Sequence, residues 1–327
     1  MKENKERIHY IDVAKGLLML LVIVHHTFIY NHESVMDVDI DKIMPIQNFW
    51  TSFFMPAFFV ITGYCTNFGR DFKNFLWRNF KSIMIPSCFF TFFSIMKLPH
   101  IDVVDALRSI LLYGGGWWFL PVLFFAKIIY WFLMHGLNRK VVLTILLVLS
   151  FLSTVFNSLN SSIDYYNYLQ VLNLTFYLWI GSECKAFIDK KSIGLAGALV
   201  FVIATLLSVK FLGGVPSVTF AFNCSVAQYP LYLLLSVSGS VGFLYLCKLI
   251  NKNFALEYFG KGSLLVFVTH FYFVVTMLNL MKESLLAHGF IGSMMLSFSC
   301  VVMVYMYTCV IIWIFSHKYL NWALGKF

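Results

Sequence analysis

Two apolar segments place imidazoles and a lysine where hydrocarbon is expected. The stretch VAKGLLMLLVIVHHTF, residues 13–28, carries Lys15 near its start and His25 and His26 deep inside. A helix turns about 100° per residue, so His26 returns to within about 20° of the direction of Lys15, while His25 lies about 80° away. Asp12, one turn before Lys15, joins the same stripe. With a rise of ~1.5 Å per residue, Lys15 and His26 stand ~16 Å apart along the axis, so a shared role needs something long lying between them. A neutral imidazole with a reference pKa of ~6.5 suits a general base, or a nucleophile in its own right. The geometry selects His26 as the catalytic candidate, with Asp12 and His25 in support. The plainer alternatives are a lysine stem reaching the interface and a histidine hydrogen-bonded to a neighbouring helix.

GKGSLLVFVTHFYFV, residues 260–274, repeats the theme. Ser263 and His270 are seven apart, about 20° short of two turns, and share a face. Lys127 lies in the middle of another apolar run, with no acid in the hydrocarbon region of any span to pair with. FFMPAFFVITGY, residues 53–64, puts Pro56 inside a span, where a proline frees a backbone carbonyl and kinks the helix, and ends on Tyr64. YGGGWWFLPVLFF, residues 113–125, runs from a glycine loop into Trp117 and Trp118. Tryptophans belong at membrane interfaces, and they also stack on sugar rings.

The elements that must position these groups follow from composition. The 327 residues are 60% hydrophobic and only 12% charged, whereas a soluble chain carries roughly 25% charged residues. About ten apolar stretches of span length lie near 11–31, 47–67, 79–97, 117–135, 139–157, 167–184, 193–212, 227–248, 262–281 and 292–316. Continuous runs of this kind span as helices. The fold expected is an all-α polytopic membrane protein of about ten transmembrane helices, a single domain over residues 1–327 with no appended soluble domain. Lysine and arginine concentrate in the amino-terminal tail, in alternate connections (Arg70, Lys73, Arg78, Lys81; Arg139, Lys140; Lys185, Lys190, Lys191; Lys248, Lys252, Lys261) and in the carboxyl tail. That asymmetry predicts both termini in the cytoplasm. It also accounts for the formal charge of +9 without nucleic acid as a partner. Seven cysteines, dispersed and without CxxC pairs, give neither a metal framework nor a disulfide scaffold. The first apolar run lacks a signal-peptide cleavage pattern.

YIDVAKGLLMLLVIVHH, FFMPAFFVITGY, SIMIP, WWFLPVLF and LEYFGKGSLLVFVTHFYF, in this order and spacing, resemble the integral-membrane acyltransferase 3 family. The resemblance implies a ten-helix protein of the bacterial inner membrane. It would move an acyl group, usually acetyl, from cytoplasmic acyl-coenzyme A to a hydroxyl of an extracytoplasmic or lipid-linked glycan. The family's first helix has a basic residue, ten intervening residues and a histidine; here that pattern falls on Lys15 and His26. This sequence departs from the family in using lysine rather than arginine at position 15. It also has His25 for a small residue, Phe54 for a histidine before Met-Pro, Thr62 for a serine, Ser82 for an arginine, and Gly262 for an asparagine.

On this reading Lys15, Arg78 and Lys81 bind the coenzyme A phosphates, and its arm runs up the Lys15 face. His26 serves the thioester as base or acyl carrier, Tyr64, Ser263 and His270 support it, and Trp117 and Trp118 form the acceptor vestibule. Acetyl-coenzyme A enters as the donor substrate, no metal is required, and membrane lipids surround the chain. The competing expectation is a proton- or ion-coupled transporter using His26, Lys127 and His270.

Overall fold

A computed structural model describes residues 8–35, 49–95, 104, 118–159, 166–216, 225–286, 289–317 and 321–324. Among these residues every regular element is helical. Among the described residues, seven helices are long and apolar enough to cross a membrane, and their windows begin at His9, Phe119, Arg139, Lys191, Val226, Ser263 and Met295. The chain is therefore an all-α polytopic membrane protein. Of the ten stretches expected, the second, third and sixth are not among these seven, and each has its own physical reason.

The first span is α1 (His9–Val35). Among the described residues, the second is an apolar helix of Phe49–Cys65, shorter than the seven. The chain turns at Ser52 and Phe53, and α2 (Phe54–Cys65) starts there, so the proline falls in the first helical turn instead of kinking a longer helix. Nearly every side chain of α2 is buried, from Phe54 through Ile61, which makes it a central helix rather than a lipid-facing one.

The third stretch starts earlier than its hydropathy indicates. Asp71 caps α3 (Phe72–Asn79), accepting from the Asn74 backbone N–H at 3.1 Å. The helix then widens into a π turn over Phe80–Met84, closed by the Ile85 N–H donating to the Phe80 carbonyl five residues back, before α4 (Ile85–Ile95). Pro86, which brings no N–H, sits just past this turn. Such π turns cluster at functional sites.

The next two spans, α5 (Phe119–Gly136) and α6 (Arg139–Leu159), lead to α7 (Tyr166–Glu183), the sixth stretch. Helix α7 is polar for a span because its neighbours supply partners. The Asn173 Oδ1 accepts from Ser150 of α6 at 2.7 Å, and the Tyr177 and Ser236 hydroxyls lie 2.6 Å apart. Hydropathy reads contact with lipid, and α7 is enclosed.

The short α8 (Lys185–Ile188) connects to α9 (Lys191–Leu212) and α10 (Tyr229–Ile250). Helix α9 turns Leu199, Ile203, Leu206 and Phe211 outward, the face a lipid-contacting helix needs. An amphipathic turn, α11 (Phe254–Lys261), then precedes α12 (Ser263–Leu286) and α13 (Gly289–Phe315).

The packing of α11 on α1 sets the site. A Cβ on Gly260 would run into the Asp12 carbonyl oxygen, and one on Gly16 into that of Leu256. Backbone thus meets backbone, as small residues allow inside membranes, and the start of α12 is held against the Lys15 face of α1. Gly63 and Gly181 lock α2 against α7 in the same way. Gly260→Ala is expected to force these backbones apart and to destabilise the protein by about 1–3 kcal/mol. A lowered midpoint of thermal unfolding in detergent measures this; an unchanged midpoint would mean that the backbones do not meet so closely.

Candidate active site

The two faces selected by helical spacing meet. Lys15 of α1 and Ser263 of α12 line one cavity of about 270 Å³ together with Met19, Ser82, Lys127 and Phe267. The Lys15 ammonium lies 3.9 Å from the carboxylate of buried Asp12, one turn below. Further along the same two helices, His26 and His270 face each other. The Nε2 of His270 is 3.3 Å from the Nδ1 of His26, and the ring centres are 5.0 Å apart. Each ring is also tied to its own helix. The Nδ1 of His26 lies 2.9 Å from the Val22 carbonyl oxygen, and that of His270 lies 2.9 Å from the Val266 carbonyl oxygen. His25 is buried behind them, edge-on to His26 at 5.5 Å and tilted over Phe54 at 5.7 Å.

Neither His26 nor His270 lines this cavity. Phe58, Phe119 and Phe267 do, with the Phe119 and Phe267 rings 5.1 Å apart. The Phe267 ring centre is 6.0 Å from that of His270.

A second cavity of about 340 Å³ opens beside the first and shares Cys65, Thr66, Ser82 and Lys127 with it. It adds Arg70, Arg78, Asn67 and Asn79. Lys127 stands at the junction and is buried, and its ammonium donates to Asn79 Oδ1 at 2.8 Å. Asn79 is itself held by its Nδ2, which donates to the Phe75 carbonyl oxygen at 2.8 Å. The two linings together bring Lys15, Arg70, Arg78 and Lys127 to one hollow, and no aspartate or glutamate is among its described lining residues. A concentration of cations without lining acids is a site for a polyanion.

The structure divides the remaining expectations. Arg78 lines the second cavity, whereas Lys81 lines neither and lies over the Trp77 ring at 4.9 Å. Trp118 is half-buried beside Phe119 and lines neither cavity; Trp117 lies outside the described residues. Tyr64 belongs to a knot at the basic end of the bundle. Its hydroxyl donates to Asp189 Oδ2 at 3.0 Å, that of Tyr10 donates to Asp189 Oδ1 at 3.1 Å, and Lys248 reaches the same Oδ1 at 2.7 Å. Burial works to raise the Asp189 carboxyl, but Lys248 and the two tyrosines outweigh it and hold the group below the ordinary carboxylate range. The knot joins α1, α2 and α10 through the connection after α8. A companion contact ties α11 to the start of α1, where His9 donates to Glu257 at 3.0 Å and Lys261 lies 3.4 Å away. His9, then Lys261, keep that carboxyl low.

Sequence reasoning missed Arg70, Asn79 and Lys127 as a group around one hollow. The available signal was the lone Lys127 amid apolar residues. Among the described residues no group of three or more histidine, cysteine or acidic side chains is placed to hold a metal ion.

The acyltransferase domain of the acyltransferase 3 family matches residues 8–317, nearly the whole chain. This chain belongs to that family. Neither a curated protein nor a solved structure matches it. With its membrane-crossing helices, the protein is a membrane acyltransferase.

Proposed function

We propose that this membrane acyltransferase carries acetyl, or another short acyl group, from acyl-coenzyme A to a hydroxyl of an extracytoplasmic or lipid-linked glycan. In this reading it is an O-acetyltransferase of ten spans in a bacterial inner membrane, with both termini and the basic end of the bundle in the cytoplasm. The observation that carries it is the hollow shared by Lys15, Arg70, Arg78 and Lys127. Cations without lining acids suit the phosphates of coenzyme A, and the apolar continuation past Met19 to Phe267 suits its thin arm.

The nucleotide head enters at Arg70 and Arg78, and the pyrophosphate reaches Lys127. The arm rises between Lys15 and Ser263. For the thioester to meet His26, the Phe267 ring swings aside. The acceptor comes from the opposite end, with Trp117 and Trp118 at its entrance. Neutral His26 takes the proton of the acceptor hydroxyl as its oxygen attacks the thioester carbonyl. The carbon–oxygen bond forms, the carbon–sulfur bond breaks, and the imidazolium returns the proton to the leaving thiolate, releasing coenzyme A as the free thiol. General-base help of this kind is typically worth roughly 10²–10⁴-fold.

The test is full-length protein in liposomes, given isotope-labelled acetyl-coenzyme A inside and a lipid-linked oligosaccharide acceptor. The expected result is label on the oligosaccharide with one free thiol released per ester formed. Substrate uptake without any thiol release, across short acyl-coenzyme A donors and acceptor glycans, would reject the reading.

A further inference from the structure

We infer that His270 is a positioning residue that holds His26 in the tautomer with its proton on Nδ1, so that the lone pair of Nε2 is the one that meets the acceptor hydroxyl. The inference rests on the acyl-transfer reading for its consequence, but on hydrogen-bond chemistry for the assignment itself.

Three close contacts constrain two rings. A carbonyl oxygen only accepts. The Nδ1 of His270, 2.9 Å from the Val266 carbonyl oxygen, is therefore the nitrogen that carries the proton. In a neutral imidazole the other nitrogen then carries the lone pair, so the Nε2 of His270 is an acceptor. That acceptor lies 3.3 Å from the Nδ1 of His26, which is also 2.9 Å from the Val22 carbonyl oxygen. Two acceptors converge on the Nδ1 of His26, and only a proton there makes both contacts attractive. The opposite assignment sets the lone pair of His26 against a carbonyl oxygen. The Nε2 of His26 then carries the lone pair and serves as the base.

The arrangement also acts during the reaction. When His26 takes the acceptor proton, positive charge spreads over its ring and the Nδ1–H becomes a stronger donor. The neutral Nε2 of His270 and the Val22 carbonyl both face that hydrogen and stabilise it, the service a carboxylate gives in hydrolase triads. Here the intramembrane partner is uncharged, so no buried carboxylate has to be kept ionised in hydrocarbon. The backbone contact of α1 alone holds one bond to Nδ1. His270 adds the second, and it comes from α12, which packing at Gly16 and Gly260 fixes against α1. Because the Val22 carbonyl persists when His270 is removed, the expected loss is smaller than the ~10⁴-fold penalty of a reversed tautomer. By analogy with deleting the hydrogen-bond partner of a metal-ligating histidine, which typically costs about 10–100-fold, the loss is set in that range.

The experiment has two arms on the full chain in nanodiscs. In the first, nitrogen-15 spectra of histidine-labelled protein, with His26 signals identified by their loss in His26→Gln, report which nitrogen is protonated. Protonated Nδ1 and unprotonated Nε2 on both His26 and His270 are expected; an unprotonated Nδ1 on either ring overturns the inference. In the second, His270→Ala is expected to lower kcat by about 10–100-fold, with KM for acetyl-coenzyme A within about twofold. His270→Gln, whose amide oxygen replaces the Nε2 acceptor, is expected to recover most of the loss, whereas His270→Leu is not. Unchanged kcat in His270→Ala, or equal recovery by glutamine and leucine, overturns it. If the spectra give the expected protonation while wild-type protein transfers no acyl group, the assignment stands and the acyl-transfer reading falls.

Discussion

His26→Ala is expected to lose glycan acylation by about 10²–10⁴-fold while binding acyl-coenzyme A as the wild type does. The separation of the two effects follows from distance. Lys15, Arg70, Arg78 and Lys127 line the hollow, and His26 lines neither of its two cavities. The replacement removes an imidazole without touching a cation of the hollow. It also leaves α1 anchored at its basic end by the Asp189 knot and the Gly16–Gly260 contact. Single-turnover transfer and equilibrium binding of a non-hydrolysable acyl-coenzyme A analogue, measured on the same preparation, check both halves. His25→Ala serves as the contrast: His25 packs on Phe54, off the stripe of α1, so its loss opens a void with a smaller effect on transfer. Full turnover in His26→Ala, with intact binding, would remove His26 from the chemistry.

The helix faces were readable from the sequence because they depend on one number. A constant turn per residue places Lys15 and His26 on one stripe, and Ser263 and His270 on another, whatever surrounds them. The structure sets those stripes against each other, and they form the cavity and the histidine pair. Partners across distant segments were not readable. Asn79, which receives the Lys127 ammonium, stood at the expected start of the third span, yet it closes a helix that Asp71 begins eight residues earlier. Charge alone also failed to separate Arg78 from Lys81. The two are three residues apart, but only Arg78 lines the hollow, while Lys81 covers Trp77. Helix α7 shows the same limit from the apolar side. Its asparagine and tyrosine look costly in hydrocarbon until Ser150 and Ser236 are seen beside them.

Lys127→Met is expected to raise KM for acetyl-coenzyme A by about 10–100-fold with little change in kcat, the counterpart of the His26 result. A hydrogen bond to a charged group contributes roughly 1.5–3 kcal/mol, and 1.4 kcal/mol is about tenfold in an equilibrium constant. The ammonium sits at the junction of the two cavities, where Cys65, Thr66 and Ser82 are common to both linings and where a phosphate passing inward must cross. Without a ligand it is held by Asn79, so a phosphate oxygen replaces an amide oxygen already in place rather than water. Methionine keeps the length of the stem and avoids a large cavity, but it leaves Asn79 Oδ1 without its donor. That costs about 1–3 kcal/mol of stability. Asn79→Leu combined with Lys127→Met removes the orphaned acceptor. If the affinity loss came from disordered packing, the double variant would regain binding with its stability. A phosphate contact predicts instead that stability returns and KM stays high. Raising the salt concentration should also weaken donor binding more steeply in the wild type than in Lys127→Met, because one fewer charge is screened. Unchanged KM in Lys127→Met would place the donor phosphates elsewhere, and the cations of the hollow would then suit another anion.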